Sequence, residues 1–346
     1  MENTLLSLAI IYVIMWSMWL IITAVMRYLK SNTSTGSDQS AVLQSNTSSS
    51  RCSSSFGLNA RRRPVVMQNY QTFKTFDIID DFKDHHYREF SHSVMHSDYL
   101  NVFRLSDKNA KKSYTIYVRV SESRMDLLRA VIIGPAGTPY HDGLFIFDVH
   151  FPPKYPAVPP EVHYHSRGLG INPNLYSCGR VCLSLLNTWT GRGNEKWLPN
   201  RSTVLQILVS IQALVLNEKP FFNEPGYDST YTGSEGARRS KKYNEEIFIL
   251  SLKTMVYTLR SPPRHFEDFV SGHFLARGRA ILLACRAYME GADIGCIVKD
   301  EIQGCRKVEK RNLQGFKRGI ANLMNSLIVN FTMNGSEDCA EFHLTE

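Results

Sequence analysis

The chain has 346 residues, 43% of them hydrophobic, which is enough for a buried core and for two domains or one domain with appendages. Its formal net charge of +8 admits nucleic acid, an anionic membrane surface or acidic proteins as partners. No nucleic-acid motif is present, so the membrane surface is the better reading of the basic N-terminal stretch. The seven cysteines are odd in number and none lies in a CxxC of metal spacing. They argue against a zinc framework and fit free thiols in a reducing compartment.

Residues 5–26, LLSLAIIYVIMWSMWLIITAVM, form an uncharged run. At about 1.5 Å per residue they would span roughly 33 Å as a helix, the thickness of a bilayer core. Glu2 precedes the run and Arg27 and Lys30 follow it, so the positive-inside rule places the rest of the chain in the cytosol. The rival is a cleaved signal peptide, which has a basic start and a shorter apolar core; this run has neither. Residues 27–64 are rich in Ser, Thr, Asn and Gln with Arg51, Arg61, Arg62 and Arg63 against Asp38, and read as a disordered basic linker. Two glycosylation sequons, at Asn32 and Asn46, matter only if this stretch is lumenal.

Residues 65–98 carry Phe76-Asp77-Ile78-Ile79 and His85-His86-Tyr87. The histidines His85, His86, His92 and His96 have no carboxylate framework of site spacing beside them, so they read as a segment docked on a domain, not as a metal site. The core runs over residues 99–290. A short helix is expected over 99–112, then strands over 114–120, 127–134, 144–150 and 162–165, separated by Gly and Pro turns. A buried helix follows over 203–216 with Ser202 as its N-cap. Long helices are expected over 237–260 and 264–289, the second broken near Gly278. The order predicts an α+β fold: a four-stranded antiparallel meander flanked by helices, with the N-terminal run as a transmembrane helix. Residues 291–346 form a tail, in which Phe316, Ile320, Leu323, Leu327, Ile328 and Phe331 have helical apolar spacing and are expected to pack on the domain.

The chemistry concentrates in INPNLYSCGRVCLSLLNTW, residues 171–189. The turn Asn172-Pro173-Asn174 sets an amide donor eight residues before Cys182, an arrangement suited to a thiolate nucleophile and a stabilised oxyanion. A lone cysteine is ordinarily a core residue; the flanking motifs reverse that expectation. This segment, together with GPAGTPYHDGLFIFDVHFPPKYPAVPPEV at 134–162, resembles the ubiquitin-conjugating enzymes. The resemblance covers roughly residues 100–290 and is nearest to the large plant-type and hybrid conjugating–ligase members, through YVRVSESRMDLLRAVIIGP, TWTGRGNEKW and KPFFNEPGYD.

The resemblance implies a ubiquitin thioester on Cys182, taken from the activating enzyme and passed to a substrate lysine. It implies no metal and no cofactor, ATP being consumed by the activating enzyme. Asn174 matches the family's Asn, which either stabilises the oxyanion or shapes the loop. Asn172 stands where most members have His, and Ser184 where many have Asp. Glu224 occupies the gate position and could orient the incoming amine; as a residue before Pro225 it could equally be a turn former. Cys178 reads as an exposed loop thiol. The expected ligase-facing loops contain Ala157, Pro160, Trp197 and Pro199, and Ala157 replaces the Phe found in many members. Partners implied are ubiquitin, the activating enzyme, a protein substrate and a ubiquitin ligase. The alternative is a catalytically silent ubiquitin- or ligase-binding module of the same fold, whose members usually lack the cysteine that this chain retains. A secreted form with a cleaved leader is the third reading.

Overall fold

A computed structural model of the chain describes residues 56–90, 115–189, 195–296 and 314–342. Helix α1 spans Phe56–Gln71. Strands β1 to β5 follow at Phe76–Ile79, Ile116–Ser121, Leu127–Ile133, Leu144–His150 and Glu161–Tyr164. Strands β2 to β5 form the expected antiparallel meander. The sheet nevertheless has five strands, because β1 pairs parallel to β2 at its open edge. Four residues are too few for an alternation to stand out, so this strand reads from sequence only as part of a docking segment. A long chain connection separates it from β2, as parallel pairing demands, and it covers an edge that would otherwise be exposed.

Successive side chains leave a strand on opposite faces, and here both faces are covered. Leu128, Ala130, Ile132, Phe145, Phe147 and Val149 enter one core with Tyr140, Leu175 and Val181. Val131, Leu144 and Ile146 enter a second. Double burial explains why 144–150 is a nearly continuous apolar run. Within it Asp148 lies opposite Arg129, which binds it through Nε and Nη2 at 2.6 and 2.9 Å. Burial raises the Asp148 pKa, but Arg129 and His165 outweigh that and hold it well below the usual carboxylate range. Arg129 also reaches Asp84 at 2.9 Å, and the His86 amide donates to Asp148, which ties the N-terminal segment to the sheet.

Helix α2 (Val204–Ser210) runs on into one π-helical turn, Ile211–Val215, and buries Val204, Ile207, Leu208, Ile211 and Val215. Its N-cap is Thr203, not Ser202. Thr203 Oγ1 accepts from the Gln206 amide and Gln206 Oε1 from the Thr203 amide, a capping box. Ser202 accepts instead from the Leu198 amide. A short helix α3 (Tyr227–Thr230) precedes two long ones, α4 (Gly233–Arg260) and α5 (Glu267–Met289). Helix α5 is continuous through Gly278, where a Cβ would lie 3.2 Å from Phe331 and 3.3 Å from Cys339 Sγ. The glycine marks a close approach instead of a break. Helix α6 (Gln314–Met333) buries Phe316, Ile320, Met324, Leu327, Ile328 and Phe331 in the second core; five of the six expected positions are buried, while Leu323 is only partly buried and Met324 enters beside it.

Among the described residues no helix is long and apolar enough to cross a membrane. The run at 5–26, most of the linker and the helix expected over 99–112 lie outside those residues. Cys178, Cys182, Cys285 and Cys339 are free thiols. Cys296 departs from the all-thiol expectation, being disulfide-bonded.

Candidate active site

The loop at 171–189 is held from beneath by buried polar groups. The Tyr140 hydroxyl donates to the Ile171 carbonyl at 2.9 Å. Asn172 donates from Nδ2 to Tyr140 Oη at 2.8 Å and to the Val215 carbonyl at 2.7 Å. Its Oδ1 accepts from the Asn174 amide at 2.8 Å and from Asn223 Nδ2 at 3.3 Å. One asparagine thus joins the loop, the end of the π turn after α2 and the segment before Glu224. Every hydrogen-bonding valence of its side chain is used.

Asn174 and Cys182 brace one another. The Cys182 amide donates to the Asn174 carbonyl and Asn174 Nδ2 donates to the Cys182 carbonyl, both at 2.9 Å. Between them the chain makes a tight hairpin, with the Tyr176 amide on the Arg180 carbonyl and the Gly179 amide on the Tyr176 carbonyl. Gly179 has φ +89°, and a Cβ there would run into the His163 ring, so only glycine serves at this turn. After Cys182, Thr188 Oγ1 accepts from the Leu183 amide and donates to the Val181 carbonyl.

Cys182 is 3% exposed. The Cys182 side chain acts on the exposed Tyr176 and raises its pKa, with Glu224 adding in the same direction and Arg180 opposing. Glu224 is half-buried and lines one cavity with Tyr176. The structure therefore brings Cys182, Asn174 and Glu224 to one site and adds Tyr176, Tyr140 and Asn223, which sequence reasoning missed. Tyr176 carried a signal in hindsight, since residues six apart across a tight hairpin return to one another. Cys178 is exposed at the hairpin tip. The remaining described thiols differ in kind: burial pushes Cys339 up to about 12 and Cys285 higher still, which keeps both protonated.

The two outer loops meet through Trp197, whose Nε1 donates to the Pro156 carbonyl at 2.7 Å. Trp197 and Pro160 are buried and shape these loops from within; Ala157 and Pro199 are at the surface. Among the described residues no three His, Cys, Asp or Glu side chains are placed to hold a metal ion.

A mixed five-stranded sheet backed by helices defines an α+β fold, with Cys178 exposed and Cys182 buried in its braced hairpin loop. Residues 100–248 match the family described as ubiquitin-conjugating enzyme. The chain is 50% identical over 275 residues to ubiquitin-conjugating enzyme E2 38 of Arabidopsis thaliana, covering 78% of this chain and 84% of that protein. It is also 50% identical over 287 residues to ubiquitin-conjugating enzyme E2 26 of the same plant, of which it spans only 53%, with 82% of this chain matched. A third relative is the human dual E2 ubiquitin-conjugating enzyme/E3 ubiquitin-protein ligase BIRC6, 39% identical over 220 residues, 62% of this chain and 4% of that protein. The chain belongs to the ubiquitin-conjugating enzymes, a family of ubiquitin transferases.

Proposed function

We propose that Cys182 receives ubiquitin as a thioester and passes it to a substrate lysine. The Cys182 thiolate attacks the thioester carbon between ubiquitin and the activating enzyme. A new carbon–sulfur bond forms as the old one breaks, and the activating enzyme's thiol leaves. Exchange of one thioester for another is nearly isoenergetic, so ATP is spent upstream and no cofactor acts on this chain. The lysine amine then attacks the same carbon, an amide forms, and Cys182 leaves as the thiolate while the amine's proton passes to solvent or to Glu224.

The observation that carries this reading is a loop fixed by buried hydrogen bonds, in which Cys182 and Asn174 brace one another and Asn172 is tied to Asn223, the neighbour of Glu224. Glu224 draws the cationic lysine toward the sulfur. Asn174 spends its amide on the Cys182 carbonyl, which favours loop bracing over direct oxyanion binding in the resting enzyme. Ubiquitin, the activating enzyme and a protein substrate are the partners. The surface position of Ala157, without an aromatic anchor, suits a reduced need for a separate ligase, in keeping with the dual activity in the name of the human relative. Residues 5–26 anchor the enzyme in a membrane, the endoplasmic reticulum being the candidate, with the catalytic domain in the cytosol.

The test is to incubate the full chain, in detergent, with activating enzyme, ubiquitin and ATP. A reductant-sensitive adduct one ubiquitin heavier, absent in Cys182→Ala, is expected. Failure to charge beside a charged control enzyme sinks the proposal. For the anchor, deletion of residues 1–30 is expected to move the protein into the carbonate-soluble fraction; continued pelleting refutes it.

A further inference from the structure

Beside the Asn-Pro-Asn turn opens a cavity of about 580 Å³, lined by Asn172, Pro173, Tyr176, Glu224, Tyr227 and Tyr243 among others. That is the size of an ordinary ligand site. Its walls are aromatic and mutually packed: the ring of buried Phe221 lies 4.8 Å from that of Tyr227 and 6.0 Å from that of Tyr243.

Glu224 is the charged side chain in its wall. Among the described residues no cation lies within ion-pair distance of the Glu224 carboxylate. Burial first, and then the carboxylates of Glu224 and Glu246, push Tyr243 up to about 12. Arg180 acts in the opposite direction on Tyr176. The same aromatic cluster already holds one cation of the chain. Arg239 sits over the ring of Tyr231 at 4.5 Å, and Tyr231 lies 5.1 Å from Tyr227. No such guanidinium covers Tyr176, Tyr227 or Tyr243 among the described residues. Tyrosine faces with a half-buried carboxylate at the rim attract a cation both by the ring quadrupole and by charge.

Tyr176 is shared between this cavity and Cys182. A side chain in the cavity and a lysine at the sulfur thus lie on either side of one tyrosine, and residues two apart in an extended peptide span ~7 Å. We propose that the cavity binds the lysine or arginine side chain of a substrate residue flanking the acceptor lysine, so that the enzyme selects lysines in basic segments. This deepens the functional reading above and rests on it.

The experiment uses the full chain charged with ubiquitin and two peptides. Each has a single lysine, with Arg two residues to either side in one and Gln in the other. The readout is the ratio of their discharge efficiencies within each enzyme. Wild type is expected to favour the Arg peptide about tenfold, chiefly through KM. Tyr227→Leu should bring the ratio near one, and Tyr227→Phe, which keeps the ring face, should retain it. A ratio near one in wild type while free lysine still discharges the thioester overturns the subsite and leaves the function standing. So does a preference that persists in Tyr227→Leu and Tyr243→Leu, because general charge would then account for it. Absence of any thioester overturns the functional reading and the subsite with it.

Discussion

Apolar cores cover both faces of the sheet, but the two differ in what fixes the chain laid over them. On the face that carries Cys182, the loop is fixed by directional bonds among polar groups: buried Tyr140, Asn172 and Asn174 with half-buried Asn223 and Thr188. On the other, α4, α5 and α6 pack aliphatic and aromatic side chains, with Phe274 and Phe331 stacked at 5.8 Å between centroids. A hydrogen-bonded network admits one arrangement, which suits a nucleophile whose position matters. Volume packing supplies stability without dictating the place of a single atom.

The contrast breaks most visibly on the packed face. Phe331→Ala removes a fully buried ring that touches Gly278 and Phe274. It is expected to cost about 3–5 kcal/mol in denaturant unfolding, while thioester formation per folded molecule stays as in wild type. A loss of charging in the folded fraction would show that the far face does set the loop. On the near face Asn172→Ala is expected to behave the other way. It frees the Asn174 amide and leaves the Val215 carbonyl with Asn223 as its side-chain donor, at about 1–3 kcal/mol. Its larger effect is on rate: displacement of the loop by about an ångström should slow lysine discharge on the order of 100-fold. Single-turnover discharge measured beside a melting curve separates the two. Equal, small effects on both would mean that water replaces the asparagine without moving the loop.

Sequence was informative where its signal is local and periodic. The meander strands, with 144–150 found at its predicted bounds, and the buried face of α6 all follow from apolar spacing. The asparagine turn and Cys182 follow from a motif. What was not legible depends on contacts distant in sequence. The fifth strand needs β2 as a neighbour before four residues mean anything. Gly278 looks like a helix break until Phe331 and Cys339 are seen against it. Trp197 and Pro160 look like surface anchors in a loop motif, yet the loops close over both. Asn172 looks like a mild departure from His. Its four partners, at residues 140, 174, 215 and 223, are what make it the pin of the site.

The smallest effect tests whether the N-terminal segment belongs to the catalytic face. His86 and His163 stack with ring centroids 3.5 Å apart, and His163 lies under Gly179, three residues before Cys182. Burial, then mutual repulsion with His86 and His165, lowers His163 to about 4. Burial likewise lowers His85 to about 4, with Asp148 opposing, and lowers His86. The folded protein therefore binds fewer protons than the unfolded chain between about pH 6.5 and pH 4. Stability is present in full above pH 6.5 and falls as the pH drops through that window. Asp142 and Asp148, held far lower by their cationic partners after burial is overcome, do not titrate there. After allowance for solvent screening, a loss of about 1 kcal/mol between pH 7 and 5.5 is expected, read as a drop of a few degrees in melting temperature. His163→Gln should flatten that slope. An unchanged slope would place the pH sensitivity elsewhere and leave the stack as packing alone. A flattened slope together with slower discharge at low pH in wild type would show that the segment at 82–90 reaches the catalytic loop through two imidazoles.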